Sequence, residues 1–412
     1  MSARADCDIA VIGAGMVGVT LACALASDGW RVTLVEESGL PWPPPAFDPE
    51  AEPDLRVSAV SVASERIFRN LGMWELLEGW RVSPYWRMQV WEGRATIGFD
   101  SAELPWPHLG HIIENRLIRD AALHCLHRVA GERVRAVVGT AVSGMRPDGA
   151  GAARLRLGDG SALSARLVVA ADGAGSPLRE IAELPARQRW YDQQAVVAMV
   201  ECERAHGATA RQRFMRTGPL ALLPLADGRC SIVWSTAPEH ADELVAMAPE
   251  AFADAVSEAS EHVLGRLELA GERRSFPLQF LQARRYRAPR LALVGDAAHV
   301  VHPLAGQGVN LGLLDAAALA GVLRQAGAPW MDPGSQRLLG RYERWRKGHN
   351  LLVGGLMDGF KHLFGSPSPV LALARDNGLS LADRSGPLKR AIMRQAMGLE
   401  GDLPPLARPL PA

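Results

Sequence analysis

Residues 7–37 read CDIAVIGAGMVGVTLACALASDGWRVTLVEE, and this stretch decides the fold. An apolar run, Ile9–Ile12, enters Gly13-x-Gly15-x-x-Gly18. The hydrophobic period then lengthens from strand to helix over Met16–Ser27, breaks at Asp28-Gly29, and returns to strand over Arg31–Glu36. The spacing predicts a βαβ unit. Gly13 lets the strand turn tightly, Gly15 lets backbone approach a pyrophosphate, and Gly18 lets the helix pack closely on the sheet. The helix start offers free N–H groups and the positive end of its dipole to phosphate. Glu36 follows Gly18 by 18 residues, at the end of the second strand, where a carboxylate accepts hydrogen bonds from a ribose hydroxyl. The same charge repels a 2′-phosphate, so the site suits FAD or NAD and not NADP; Glu37 is the alternative acid, disfavoured by register.

Two further strand ends share this character. In 170-AADGAGSPLR-179 a buried strand delivers Asp172-Gly173 to a turn, and Ser176 is placed to cap the helix that follows. In 291-LALVGDAAHVVHPLAGQGVNLGLLDAAALAGVL-323 an apolar run stops at Gly295-Asp296, a Pro/Gly-rich bend follows, and a long apolar helix starts near Val309. The strand presents Asp296 at the carboxyl end of a sheet, where open α/β sheets bind ligands. Gly306 and Gly308 let main chain crowd against a flat polar partner.

The remaining sequence sets limits on these readings. A chain of 412 residues exceeds one ordinary core, and two or three domains are expected. Lys+Arg and Asp+Glu balance at 45 each, so no global field recruits nucleic acid. The five cysteines are scattered, with no C-x-x-C pair, which argues against a disulfide frame or zinc site and for a reducing, cytoplasmic setting. No apolar run reaches the ~18 residues of a membrane span. After the proline-rich loop 41–54, a helix is expected over Val62–Leu71, strand over 86-WRMQVWEG-93 and helix over 112–130. A second β-rich region spans about 188–280; it contains a hairpin, 219-PLALLPLADGRCSIVWS-235, and is interrupted by a helical stretch over about 239–266.

Together, in this order, the three motifs resemble the class A flavoprotein monooxygenases, the fold of the aromatic hydroxylases. The segments 55-LRVSAVSVASERIFRNLGMWE-75, Ile112–Ala122 and 388-LKRAIMRQAMGL-399 narrow the resemblance to the hydroxylases of ubiquinone biosynthesis. It implies an α/β (α+β) chain with a para-hydroxybenzoate-hydroxylase-like fold. Residues 1–75, 107–185 and 281–345 would form a discontinuous, Rossmann-like FAD-binding domain. Residues 76–106 and 186–280 would form a β-sheet substrate domain, and 346–412 a C-terminal helical region. It further implies that Gly13, Gly15, Gly18 and Glu36 bind the ADP part of FAD, that Asp172 and Gly173 form a second contact element, and that Gly295 and Asp296 hold the ribityl region. Arg56, Asn115, Arg116 and Asn310 would complete the cofactor site. The loop holding Pro303, Gly306, Gln307 and Gly308 would face the flavin, with no catalytic acid or base assigned.

The implied reaction hydroxylates a polyprenylated phenol through a flavin C4a-hydroperoxide, using O2 and either NAD(P)H or an external reductase. The hard chemistry belongs to the cofactor, which explains why no nucleophile triad or metal cluster is evident. His299 fits a structural place in the turn below the flavin better than a proton-transfer role. Leu222, Pro224 and Trp234 are candidates for the substrate pocket, with plain sheet core as the competing reading. Implied partners are an apolar aromatic substrate, other ubiquinone-biosynthesis proteins or a lipid carrier, and the inner membrane face. For the last, the helix 350–364 offers Leu352, Leu356, Phe360 and Leu363 on one side, although ordinary packing weighs more. A reductase or oxidase on the same scaffold stays open, as does the oligomeric state.

Overall fold

A computed structural model describes residues 5–93, 95–148, 151–301, 308–327, 331–365 and 385–410, with the backbone alone over 356–365. The first eight-stranded sheet runs β17 (Arg287–Ala288), β18 (Leu291–Leu293), β11 (Ala162–Ala170), β1 (Cys7–Ile12), β2 (Val32–Glu36) and β8 (Val134–Val138). The pair β9 (Val142–Asp148) and β10 (Ala152–Leu157) extends it from β11. Strands β18, β11, β1, β2 and β8 are parallel. Parallel strands are covered on both faces and so read as unbroken apolar runs, which is why CDIAVI is buried at every position.

Helix α1 (Met16–Ser27) is apolar nearly all round because it packs beneath α4 (Asn115–Ala130) and α8 (Gly308–Gln325) as well as on the sheet. Register then makes the decisive placement. Ile12 lies beside Ala170, and Ala170 beside Leu293. The three motif turns therefore leave the same sheet edge side by side.

A second sheet of eight strands runs β19 (His299–Val300), β16 (Leu267–Ala283), β12 (Ala186–Cys202), β15 (Cys230–Thr236), β14 (Leu220–Pro224), β13 (Thr209–Arg213), β5 (Arg87–Glu92) and β6 (Ala95–Asp100). All its pairs are antiparallel except β13 with β5. One face packs on α6 (Pro238–Ala246) and α7 (Pro249–Ala259). The expected single helical stretch over 239–266 is thus two short helices, broken where Pro249 starts a new one. Because β18 belongs to the first sheet and β19 to the second, the chain crosses between them at Gly295-Asp296.

A small sheet, β3 (Val57–Ser61), β7 (Gly110–Glu114) and β4 (Val82–Tyr85), lies alongside. The expected helix over 112–130 begins only at Asn115, because Gly110–Glu114 pair on both sides with β3 and β4. Of the segment 76–106, β4 therefore joins this small sheet, whereas β5 and β6 join the large antiparallel one. Helices α2 (Val62–Asn70) and α3 (Trp74–Glu78) follow β3, and α5 (Pro177–Ile181) follows β11. The chain closes with α9 (Gln336–Gly365) and α10 (Gly386–Ala396).

Candidate active site

The cofactor side is built from main chain. Gly13 has φ +103°, and a Cβ there would lie 2.3 Å from the Ala171 carbonyl oxygen. A Cβ on Gly18 would lie 2.0 Å from the Gly13 carbonyl oxygen. These two glycines let strand, turn and helix pack without side chains between them. Gly15 caps α1 with no side-chain hydrogen bond, and a Cβ there would meet nothing within 4 Å. The uncapped N–H groups of α1 therefore begin at the wall of a cleft that Gly15, Met16 and Val17 line. Gly312 of α8 packs closely against α1 and the Gly295 turn: a Cβ there would come within 2.7 Å of the Val17 side chain and 3.2 Å of the Gly295 Cα.

Glu36 holds the glycine turn. One carboxylate oxygen accepts from the Ala14 N–H at 2.6 Å, and the other from the Ser38 N–H and hydroxyl at 2.9 and 2.6 Å. Burial works against the charge, but these hydrogen bonds overcome it and keep the carboxyl below its ordinary value. Glu36 is not among the residues lining the cleft. Asp172 is also set back: one oxygen accepts from the Leu178 N–H at 3.2 Å and the other is buried without a partner. Burial pushes this carboxyl up. Gly173 and Ala174 reach the wall in its place.

The cleft has a volume of about 1480 Å³ and runs from this edge to the antiparallel sheet. Asp296 lines it where the chain crosses between the two large sheets. The side chain is exposed to the cleft, but the protein packed around it raises its carboxyl; His299 and Arg56 pull the other way. Arg56 opens into the same space, with its guanidinium 5.3 Å from the Phe276 ring centroid. Asn115 accepts from the Ser58 hydroxyl at 2.6 Å, and Arg116 donates to the Glu52 carbonyl at 2.8 Å; both residues line the cleft. Gly308 lines it too, at the start of α8. Pro303, Gly306 and Gln307 lie outside the described residues.

Like Glu36 and Asp172, the expected contacts Asn310, Leu222, Pro224 and Trp234 are not at the wall. Asn310 is 4% exposed, and its amide is spent on holding α8 to β3 and α2. It accepts from the Ser61 N–H and Ser64 hydroxyl at 2.9 and 2.8 Å and donates to the Ala59 carbonyl at 2.8 Å. Leu222 and Trp234 pack into the core under α6 and α7, on the other face of their sheet, and Pro224 shares their parity. Period-two alternation decides this. Facing the cleft are Val197, Val233 and Ala221 in one cross-strand row, and Met199, Ser231 and Leu223 in the next. The β14 residues Leu220, Leu222 and Pro224 fall on the opposite parity.

Beneath Asp296 lies a charge network that the motif reading missed. Asp315 of α8 is fully buried; it accepts from His299 Nε2 at 2.5 Å and from Arg346 Nε at 2.7 Å. It also takes the Gly295 N–H at 3.2 Å and the Asn350 amide at 3.1 Å. Burial opposes its charge, but His299 and Arg346 hold the carboxyl well below the usual carboxylate range. His299 is thereby a fixed support for the Gly295 turn. The available signal was a lone acid inside the apolar run 311–323.

These residues fit a flavin dinucleotide. The cleft exceeds the ~300–1,000 Å³ usual for a single small ligand. It offers an uncapped helix start beside Gly15 at one end, a carboxylate in the middle and an apolar sheet face at the other end. That pairing of a dinucleotide edge with a facing antiparallel sheet defines the flavoprotein monooxygenase class. The same fold occurs in p-nitrophenol 4-monooxygenase PnpA of Pseudomonas putida DLL-E4, with a TM-score of 0.75 and 18% identity over 96% of this chain and 98% of that one. It recurs in HpxO of Klebsiella pneumoniae, solved with FAD and uric acid, at a TM-score of 0.72 and 19% identity over 95% and 96%.

The chain belongs to the FAD binding domain family, which it matches over residues 6–351. Within that family it is 38% identical to ubiquinone hydroxylase UbiL of Rhodospirillum rubrum, over 96% of this chain and 91% of that protein. It is 38% identical to 3-demethoxyubiquinol 3-hydroxylase of Escherichia coli, over 95% and 98%. It is 37% identical to the mitochondrial ubiquinone biosynthesis monooxygenase COQ6 of Xenopus tropicalis, over 94% and 92%. The chain is an FAD-dependent monooxygenase.

Proposed function

We propose that this enzyme hydroxylates the aromatic ring of a polyprenylated phenol or quinol on the path to ubiquinone. The observation that carries the reading is the continuity of one cleft from the Gly15 helix start, past Asp296, to the apolar rows of β12, β15 and β14. When bound, FAD would supply oxygen activation with O2 and electrons from NAD(P)H or an external reductase. The backbone around Gly15 and α1 would receive the pyrophosphate, and Asp296 a polyol hydroxyl. The Asp315–His299–Arg346 network keeps the Gly295 turn rigid, so that the ring stays in position. Val197, Val233, Ala221 and Leu223 exclude water and hold an apolar ring by contact, without hydrogen bonds that would demand one orientation. Arg56, over Phe276, is a cation lining the cleft that would favour an electron-rich, oxygen-bearing ring.

Among the described residues no helix is long and apolar enough to cross a membrane, so a prenyl tail would be met at a membrane surface or handed over by a carrier. The free cysteines support a reducing, cytoplasmic setting. The test supplies the purified FAD-loaded protein with a reductant, isotopically labelled dioxygen and a short-chain demethoxyubiquinol. The expected outcome is one labelled oxygen on the ring per donor oxidised. Peroxide alone, with this and every other polyprenylated phenol, would reject the assignment.

A further inference from the structure

Away from the cleft, Glu65 of α2, His108 in the loop before β7 and His111 within β7 converge. Their side chains are 7%, 15% and 7% exposed, and none of them lines the flavin cleft. The geometry points to a divalent-metal site formed by Glu65, His108 and His111, with zinc as the fitting ion.

One Glu65 oxygen is 2.7 Å from His108 Nε2 and 3.4 Å from His111 Nδ1, and one ligand atom from each residue lies within 4.8 Å of the other two. The other Glu65 oxygen is taken by Arg69 Nε at 2.8 Å, which fixes the carboxylate and leaves the first oxygen aimed at the imidazoles. The independent observation is His111 Nδ1. It is buried and has no hydrogen-bond partner, since the Glu65 oxygen 3.4 Å away is misaligned for one. The ring cannot turn toward solvent. Trp74 packs edge-on at 4.8 Å and His108 lies at 4.2 Å, centroid to centroid. A buried nitrogen without a partner is costly, and a metal ion would satisfy it.

The dimensions suit zinc. Bonds of about 2.0–2.2 Å at tetrahedral angles put donor atoms about 3.3 Å apart. The Glu65–His111 separation already matches, and His108 need withdraw by roughly half an ångström. Two imidazoles and one carboxylate favour zinc over calcium or magnesium, which take oxygen shells. Solvent reaches the edge of His108, the most exposed of the three side chains, and can supply a fourth ligand. The ion would clamp the 104–111 segment to α2, the helix whose first turn holds Asn310 at the start of α8.

The test uses the FAD-loaded protein after chelator treatment, titrated with Zn2+ and separately with Co2+. One equivalent of Zn2+ should bind and raise the melting temperature. The Co2+ form should show visible d–d bands of nitrogen and oxygen ligation, without thiolate charge transfer. His108→Gln, at the more exposed position, and Glu65→Gln should each weaken Zn2+ binding by at least about 100-fold, beyond the loss seen for residues that merely support a ligand. Their circular dichroism and bound FAD serve as the fold control. Absence of stoichiometric Zn2+ binding in the unaltered protein, a thiolate signature in the Co2+ spectrum, or undiminished binding in folded His108→Gln would each overturn the site. The Co2+ spectrum of the unaltered protein decides the matter even where a variant fails to fold.

Discussion

The two walls of the cleft are made by opposite means. The cofactor wall is a row of turns where three parallel strands end side by side, so it consists of main chain, glycines and a few carboxylates. The substrate wall is the mid-strand face of an antiparallel sheet, made of alternate aliphatic side chains. At Gly13 and Gly18 the first leaves no space for an added methyl group, because backbone meets backbone. The second can change shape residue by residue without losing its hydrogen-bonded frame. One half is therefore suited to a constant cofactor and the other to a variable substrate, a contrast that substitution can break.

The largest effect is expected for Gly13→Ala. The new Cβ would clash with the Ala171 carbonyl at 2.3 Å while the residue is held at φ +103°. A loss at the far end of the single-substitution range, roughly 4–5 kcal/mol or more, should follow. The protein should be recovered colourless or insoluble, as read by flavin absorbance and denaturant unfolding. Ala221→Val on the other wall should leave both nearly unchanged; equal damage from the two would erase the contrast.

Next comes Asp315→Asn, which leaves Arg346 buried without its anion and should cost about 3–5 kcal/mol. It also predicts a pH dependence. The folded carboxyl titrates below its unfolded value, so its stabilisation is fully present above about pH 4 and is lost as pH falls toward the folded value. Unfolding free energies from about pH 6 down to 3 should show that acid limb in the unaltered protein and a flatter one in Asp315→Asn. An unchanged limb would mean that other carboxylates govern acid stability.

Within the antiparallel sheet, neighbouring residues should separate two properties. Leu222→Ala should cost about 2–4 kcal/mol and leave KM unmoved, since Leu222 lies in the core under α6 and α7. Leu223→Phe should raise KM for an aromatic substrate about tenfold with little loss of stability. Steady-state kinetics beside thermal unfolding would show it, and reversed behaviour would invert the assignment of faces. The smallest effect belongs to Glu36→Gln. Weakening the hydrogen bond to the Ala14 N–H should loosen FAD by about tenfold, measured by flavin release in equilibrium dialysis.

Much of the cofactor wall was legible along the chain, because its determinants are local. Met16–Ser27 is helical over the expected residues, and the glycine turn sits between strand and helix as its spacing required. The errors arose where a side chain had to choose between two surfaces. Asn310 belongs to a glycine-rich motif, yet its amide is consumed by Ser61, Ser64 and Ala59, distant in sequence. Leu222 and Leu223 are chemically alike, and nothing local says which one faces the cleft. Residues 112–114 read as part of a helix because the strands they pair with, β3 and β4, lie far upstream.

By itself the sequence determined the βαβ unit, the three turns that end on glycine or aspartate, and the class of cofactor they suit. Backbone conformation and apolar period are short-range properties, written within a few residues. Tertiary structure alone decided that the three turns share one edge, that Val197, Val233 and Ala221 form the wall opposite, and that Asp315, His299 and Arg346 meet beneath Asp296. Those outcomes depend on strand register and helix docking, which are settled by burial summed over the whole core.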